Sequence, residues 1–219
     1  MKIEYLLFNI IIFLPAFLGK LIFFKSFFLA EKQLLKSIVI VGVIFIIKDF
    51  FSNELFWRFN DQYILGLRFL GLPIEELMFF FTVPYSTLFV YMIIEDFFSD
   101  KKINLKPQIF KFISITFFLV IFYSLINSKF YLFYISFFYY LTFLLIKKKL
   151  SLNLIRFYFL IFILTLIFNF YLTARPVVIY NNNYLVGFRI TTIPIEDFLY
   201  SFSLFNLLIY FFKFKRINK

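Results

Sequence analysis

The architecture predicted for this chain of 219 residues is all-α: a polytopic transmembrane helix bundle of about seven helices, with two parallel three-helix repeats joined by a linking helix. Three features point there. Hydrophobic residues make up 63% of the chain and its mean hydropathy is +0.92. That is more apolar surface than a soluble globule of this length can hide, so the bilayer is its solvent. Apolar stretches of spanning length recur along the whole chain. Finally, one string of residues occurs twice, 121 positions apart, each time at the start of such a stretch.

In chain order the apolar segments are 3–19, 34–51, 73–94, 109–126, 130–146, 154–173 and 194–212. The first follows Lys2, carries Glu4 and has no small-residue cleavage site, so it reads as a retained helix rather than a signal peptide. Shifting the first three segments by 121 residues lands them near the fifth, sixth and seventh. The expected organisation is a single membrane domain over 1–219: a first repeat over 1–100, a linking helix over 101–128 and a second repeat over 129–219. Three helices alone would invert the second repeat; the linking helix restores its orientation. Sixteen Lys/Arg fall on one set of connections, including Lys20, Lys25, Lys32, Lys36, Lys147, Lys148, Lys149 and, at the C-terminus, Lys213, Lys215, Arg216 and Lys219. Six fall on the other set. The bias places the N-terminus outside and the C-terminus inside. The net charge of +11 then reads as cytoplasmic lysines facing anionic lipid, and not as a nucleic-acid surface.

The repeated string is Tyr63-Ile-Leu-Gly-Leu-Arg68-Phe-Leu-Gly-Leu-Pro73-Ile-Glu75-Glu76, then Tyr184-Leu-Val-Gly-Phe-Arg189-Ile-Thr-Thr-Ile-Pro194-Ile-Glu196-Asp197. Pro73 and Pro194 suit the first turn of a helix, where a missing N–H costs nothing. Taken singly, each acidic pair reads as helix capping against the positive end of the dipole. The repetition points further. Adjacent residues on a helix diverge by about 100°, so one acid of each pair can face the bundle interior while the other caps or pairs. Which acid does so stays open. Glu75, Glu76, Glu196 and Asp197 are therefore the candidate catalytic residues, gathered by a pseudo-twofold axis toward a shared chamber. A carboxyl sheltered there should hold a proton near neutral pH and serve as a general acid. Arg68 and Arg189 lie seven residues before Glu75 and Glu196 and could keep one carboxylate ionised. Asp49, beside Lys48, ends the second segment on the same side, and Asn169 stands near the matching place in the sixth. Trp57, the single tryptophan, reads first as an interfacial belt residue and second as a substrate contact.

Composition excludes much else. With no cysteine and no histidine there is no disulfide, no thiolate nucleophile and neither of the commonest transition-metal ligands, so no metal site is expected. Proton chemistry must use carboxyl, Tyr, Lys or water. No GxGxxG or Walker string is present, so no cofactor is evident from the sequence. The absence of paired DxxxD aspartates disfavours a polytopic prenyltransferase. A proton-coupled transporter is the other alternative, but only five glycines are available for broken helices and the repeated acids sit at helix ends. The 41 Phe are best explained by a nucleotide bias acting on lipid-facing positions, since Ile, Lys, Asn and Tyr rise with them.

The strings PIEELMFF at 73–80 and PIEDFLYSF at 194–202 resemble those of the membrane-integral lycopene cyclases, the bacterial two-subunit carotenoid cyclase type, with both halves fused in one chain. The resemblance implies an isomerase (an intramolecular lyase) of carotenoid biosynthesis that closes the end groups of a linear, lycopene-like substrate by acid catalysis. It implies that the acid pairs supply proton donor and acceptor, with Phe79, Phe80, Tyr200 and Phe202 as faces for the cationic intermediate. Arg68, Arg189, Asp49 and Trp57 join them as substrate-binding candidates. The implied partners are the carotenoid, the lipid bilayer and other carotenoid-pathway enzymes, with no nucleic acid. The implied location is multi-pass in a bacterial cytoplasmic membrane.

Overall fold

The computed structural model describes residues 2–23 and 25–214; of residues 21–23, 25–29 and 214 it describes the backbone. The side chain of Lys25 and all of Lys215, Arg216 and Lys219, counted above for orientation, lie outside the described residues. The chain is an all-α bundle: α1 (Glu4–Phe23), α2 (Lys25–Ser52), α3 (Ile74–Phe97), α4 (Pro107–Ile126), α5 (Phe130–Ile146), α6 (Leu152–Ala174) and α7 (Ile195–Ile209), the last continued by a π-helical stretch over Tyr210–Phe214. Among the described residues, α3, α4, α6, Phe130–Lys149 and Ile195–Lys213 are long and apolar enough to cross a membrane. Their outward side chains suit lipid: Phe112, Phe118, Phe122 and Phe159 all stand exposed.

Two expectations need correction. The connection assigned to residues 20–36 is helical, because α1 runs to Phe23 and α2 starts at Lys25. Ala30-Glu-Lys-Gln-Leu-Leu-Lys36 contains only strong helix formers, and charge alone does not break a helix. Second, Pro73 and Pro194 do not lie in the first helical turn. They end two-residue strands, and the helices start one residue later. The two long connections hold β1 (Trp57–Phe59), β2 (Arg68–Phe69) and β3 (Leu72–Pro73), then β4 (Val178–Tyr180), β5 (Arg189–Ile190) and β6 (Ile193–Pro194). Such ladders are too short to leave an alternating pattern in the sequence. β2 pairs antiparallel with β3, and β5 with β6, in the same register: Arg68 opposite Pro73, Arg189 opposite Pro194. The turn between β2 and β3 has positive φ at both Leu70 (50°) and Gly71 (81°), as a type I′ hairpin requires.

Two compact units make up the molecule. The first comprises Met1–Phe97, Pro176–Ile179 and Leu208–Lys219. In it α1 and α2 both pack on α3. A Cβ on Gly42 of α2 would come within 3.4 Å of the Phe80 carbonyl, so the small residue lets the two helices approach. Phe45, Phe80 and Leu88 fill the space between them. The second unit comprises Phe98–Arg175 and Tyr180–Leu207. Here α4 turns into α5 through Ser128, at φ 55°, and Pro107 opens α4 at its first turn. Ser151 starts α6 by accepting the Leu154 N–H. Asn206 of α7 ties three helices together, donating to Thr142 of α5 (3.0 Å) and accepting from Tyr158 of α6 (2.5 Å). Hydroxyls of Ser37, Thr87, Ser114 and Ser203 bond back to carbonyls four residues earlier, which satisfies them without water.

Candidate functional site

Each unit holds an acid site built by a loop that doubles back on the helix it precedes. In the first, Ile74 N–H donates to Leu67 O (2.9 Å), Tyr63 N–H to Asn60 O (3.0 Å) and Gln62 N–H to Asn60 Oδ1 (3.1 Å). In the second, Ile195 donates to Phe188 (3.1 Å), Tyr184 to Asn181 (3.2 Å) and Asn183 to Asn181 Oδ1 (3.3 Å). Every bond recurs 121 residues on. Gly66 and Gly187 make the reversal possible, at φ 87° and 88°, a region costly for any residue with a Cβ.

The loops exist, in effect, to seat one carboxyl each. Glu75 Oε1 accepts the Leu65 N–H at 2.6 Å; Glu196 Oε1 accepts the Val186 N–H at 2.7 Å. Both glutamates are 0% exposed. Their second oxygens, Glu75 Oε2 and Glu196 Oε2, are buried with no hydrogen-bond partner among the described residues. A bare buried oxygen is unusual, because burial without a partner costs free energy.

The second acid of each pair has company. Glu76 accepts from the Tyr5 hydroxyl, and Asp49 lies beside its carboxyl. Asp49 is ion-paired to Lys48 at 2.9 Å, both side chains being buried. The Lys48 ammonium in turn lies 5.4 Å from the ring centres of Phe45 and Trp57. Asn9 binds the Glu75 backbone carbonyl at 3.2 Å and Thr82 at 2.6 Å, fixing α1 to the start of α3. In the second unit Asp197 Oδ2 accepts from Tyr180 (2.6 Å) and from Asn169 (3.4 Å). Burial first, then the Asp197 carboxyl, push the Tyr180 phenol well above its ordinary value of 10.0, so it stays a neutral donor.

The other candidates are placed as follows. Arg68 pairs with Asp61 (2.8 Å) and the Gly71 carbonyl (2.9 Å), and Arg189 with Asn182 (2.9 Å) and the Thr192 carbonyl (2.7 Å). Both guanidinium groups clamp their hairpins, and neither makes the expected direct pair with Glu75 or Glu196. Asp61 lies seven residues from Arg68 on one side and Glu75 seven on the other; the hairpin turns the side chain toward Asp61. Trp57 is buried, with the Lys48 ammonium over its ring. Phe80 is buried and meets Phe79 edge-on at 5.5 Å, while Tyr200 is half-buried. Phe202 lines a cavity of about 720 Å³ that lies wholly within the second unit. Phe162 of α6 and Phe198 of α7 wall it, with Ser136 of α5 and with Thr116, Phe117 and Val120 of α4. Val186 and Ile195, the residue that holds Glu196 and the one that precedes it, are also in that wall.

Tyr5, Tyr180, Asn9 and Ser136 were not foreseen. Tyr5 has a counterpart that could have revealed it. Tyr5 N–H donates to Tyr63 O, and Tyr131 N–H to Tyr184 O, yet Tyr5 and Tyr131 are 126 residues apart, not 121. That slip of five hides the match in a gapless comparison.

Apolar helices of spanning length, with a buried glutamate seated in the first turn of α3 and of α7, are the features of a membrane protein that keeps acids away from water. A family model described as lycopene cyclase matches residues 3–94 and 122–215. The chain belongs to the lycopene cyclase family, a membrane-associated family of carotenoid biosynthesis, and carries the family's pattern in two segments. No curated protein and no solved structure matches it.

Proposed function

We propose that the protein closes the end groups of a linear C40 carotenoid such as lycopene into six-membered rings, with Glu75 and Glu196 as proton donors. The observation that carries this is the matched pair of carboxyls, each held by one oxygen and bare at the other. A proton carried on that bare oxygen has no competing protein acceptor among the described residues and is placed for transfer to the substrate. Protonation of the terminal double bond leaves a tertiary cation. The neighbouring double bond attacks it, a carbon–carbon bond forms, and the charge moves into the new ring. Loss of a ring proton to a carboxylate sets the final double bond and returns the proton to the protein. Substrate and product share one formula, so the step needs no oxidant. Glu76 and Asp197, with the hydroxyls of Tyr5 and Tyr180 on them, serve as the reserve through which that proton is restored. Aromatic faces such as the buried Phe80 and the half-buried Phe202 stabilise the cation.

Expression in a lycopene-accumulating bacterial host tests the reaction. Conversion of the red pigment to orange-yellow cyclic carotenes, identified by chromatography, is the expected outcome. Unchanged lycopene, with the protein present in the membrane fraction, would refute it.

A further inference from the structure

The cavity in the second unit has the dimensions and the lining of a binding site. At about 720 Å³ it falls within the roughly 300–1,000 Å³ typical of small-ligand pockets. Its aromatic walls offer water few partners, so water is a poor occupant. A polar group breaks that lining. Ser136 is 0% exposed, and its Oγ has no hydrogen-bond partner among the described residues. A buried hydroxyl left bare costs free energy, and apolar replacement would relieve it. The acid stands at the same wall, since Val186 donates its N–H to Glu196 Oε1 and Ile195 is the next residue in the chain.

The linking helix supplies the remaining side. Thr116, Phe117 and Val120 of α4 line the cavity, and all three fall in the stretch 95–121 that lies between the two family-matched segments. α4 is fastened along one side, by Ser114 to Tyr140 (3.1 Å) and by Phe117 against Tyr139 and Tyr140. The acid and its loop lie within the matched segments, while Thr116, Phe117 and Val120 on the wall opposite lie between them.

We propose that this cavity receives one terminal isoprenoid segment of the polyene, that α4 is the wall measuring it through Val120 and Thr116, and that Ser136 is the dipole facing the reacting carbons. This rests on the reaction proposed above. A hydrocarbon gives the hydroxyl nothing to bind. Once protonated, its cation attracts the oxygen lone pairs, so Ser136 acts in the transition state more than in the ground state.

Kinetics of the full-length protein in lipid nanodiscs, with lycopene as substrate, separate the roles. Val120→Trp fills the cavity and should raise KM at least tenfold. Phe122→Trp, on the exposed face of the same helix, should leave KM unchanged. Ser136→Ala should lower kcat about tenfold with KM held. If Val120→Trp does not accumulate, Leu199→Trp fills the same space from α7 and should give the same rise. A wild-type KM in a folded Val120→Trp or Leu199→Trp protein overturns the site while leaving the reaction standing. Conversely, wild-type protein that co-purifies with lycopene without cyclising it sinks the reaction, and loss of that pigment in Val120→Trp then upholds the site.

Discussion

Glu75 and Glu196 differ from their neighbours in what they lack. Glu76 and Asp197 each accept from a tyrosine; Glu75 and Glu196 keep one oxygen bare. Replacing either by Gln preserves shape and the loop hydrogen bond but removes the transferable proton. Activity should fall about 100-fold or more, the usual contribution of a general acid, with membrane protein levels unchanged. Chromatographic product yield measures it, and two fully active variants would return both residues to helix capping. Tyr180 gives a pH prediction. Its phenol is protonated in the folded chain far above 10.0 but ionises near that value when unfolded. The folded state then binds more protons than the unfolded one, so this stabilisation is complete below pH 10 and declines as pH rises beyond it. Thermal unfolding in detergent should lose midpoint on alkaline titration, and Tyr180→Phe should flatten that loss. An identical decline in the variant would clear Tyr180 of responsibility.

At the scale of elements, the doubled-back loop is the working part. Gly66→Ala or Gly187→Ala forces a side chain into a left-handed backbone at a cost of about 1–2 kcal/mol. Each should lower the unfolding midpoint, and each should reduce cyclisation through misplacement of the Leu65 or Val186 N–H. Asn at either position, better tolerated there, should recover part of both. A midpoint unmoved by alanine would show that the loop relaxes freely. The helices and acidic motifs were legible in sequence because burial in lipid demands long unbroken apolar runs and the gapless repeat marked the acids, the arginines, Gly66 and Gly187, though not Asn60 and Asn181 before them. Tyr5 was illegible because the first helix of each repeat is offset by five residues against its loop. Arg68 misled because identical spacing separates it from Asp61 and from Glu75, and only the hairpin decides between them. Ser136 has no sequence signature at all; a serine in a membrane helix bonds its own backbone more often than it waits for a ligand.

For the whole molecule, the absence of native cysteine makes orientation simple to test. Gln62 is exposed in the first loop and Lys148 is exposed in the short turn between α5 and α6. By the Lys/Arg bias, a Gln62→Cys protein should react with a membrane-impermeant maleimide in intact cells, and Lys148→Cys only after permeabilisation. The reverse labelling would invert the proposed orientation and place both acid loops at the cytoplasmic surface.

The two halves share a scaffold and a seated glutamate, but differ around the second acid of each pair. In the first, Glu76 lies beside Asp49 and its ion pair with Lys48; in the second, Asp197 accepts from Tyr180 and Asn169, and a shift of 121 residues sets Asn169 and Phe170 against Lys48 and Asp49. A repeated scaffold therefore leaves the two sites free to differ, even where their backbones coincide. A chimera bearing two copies of either half would make those surroundings identical, and its product yield would show whether the difference matters to the reaction.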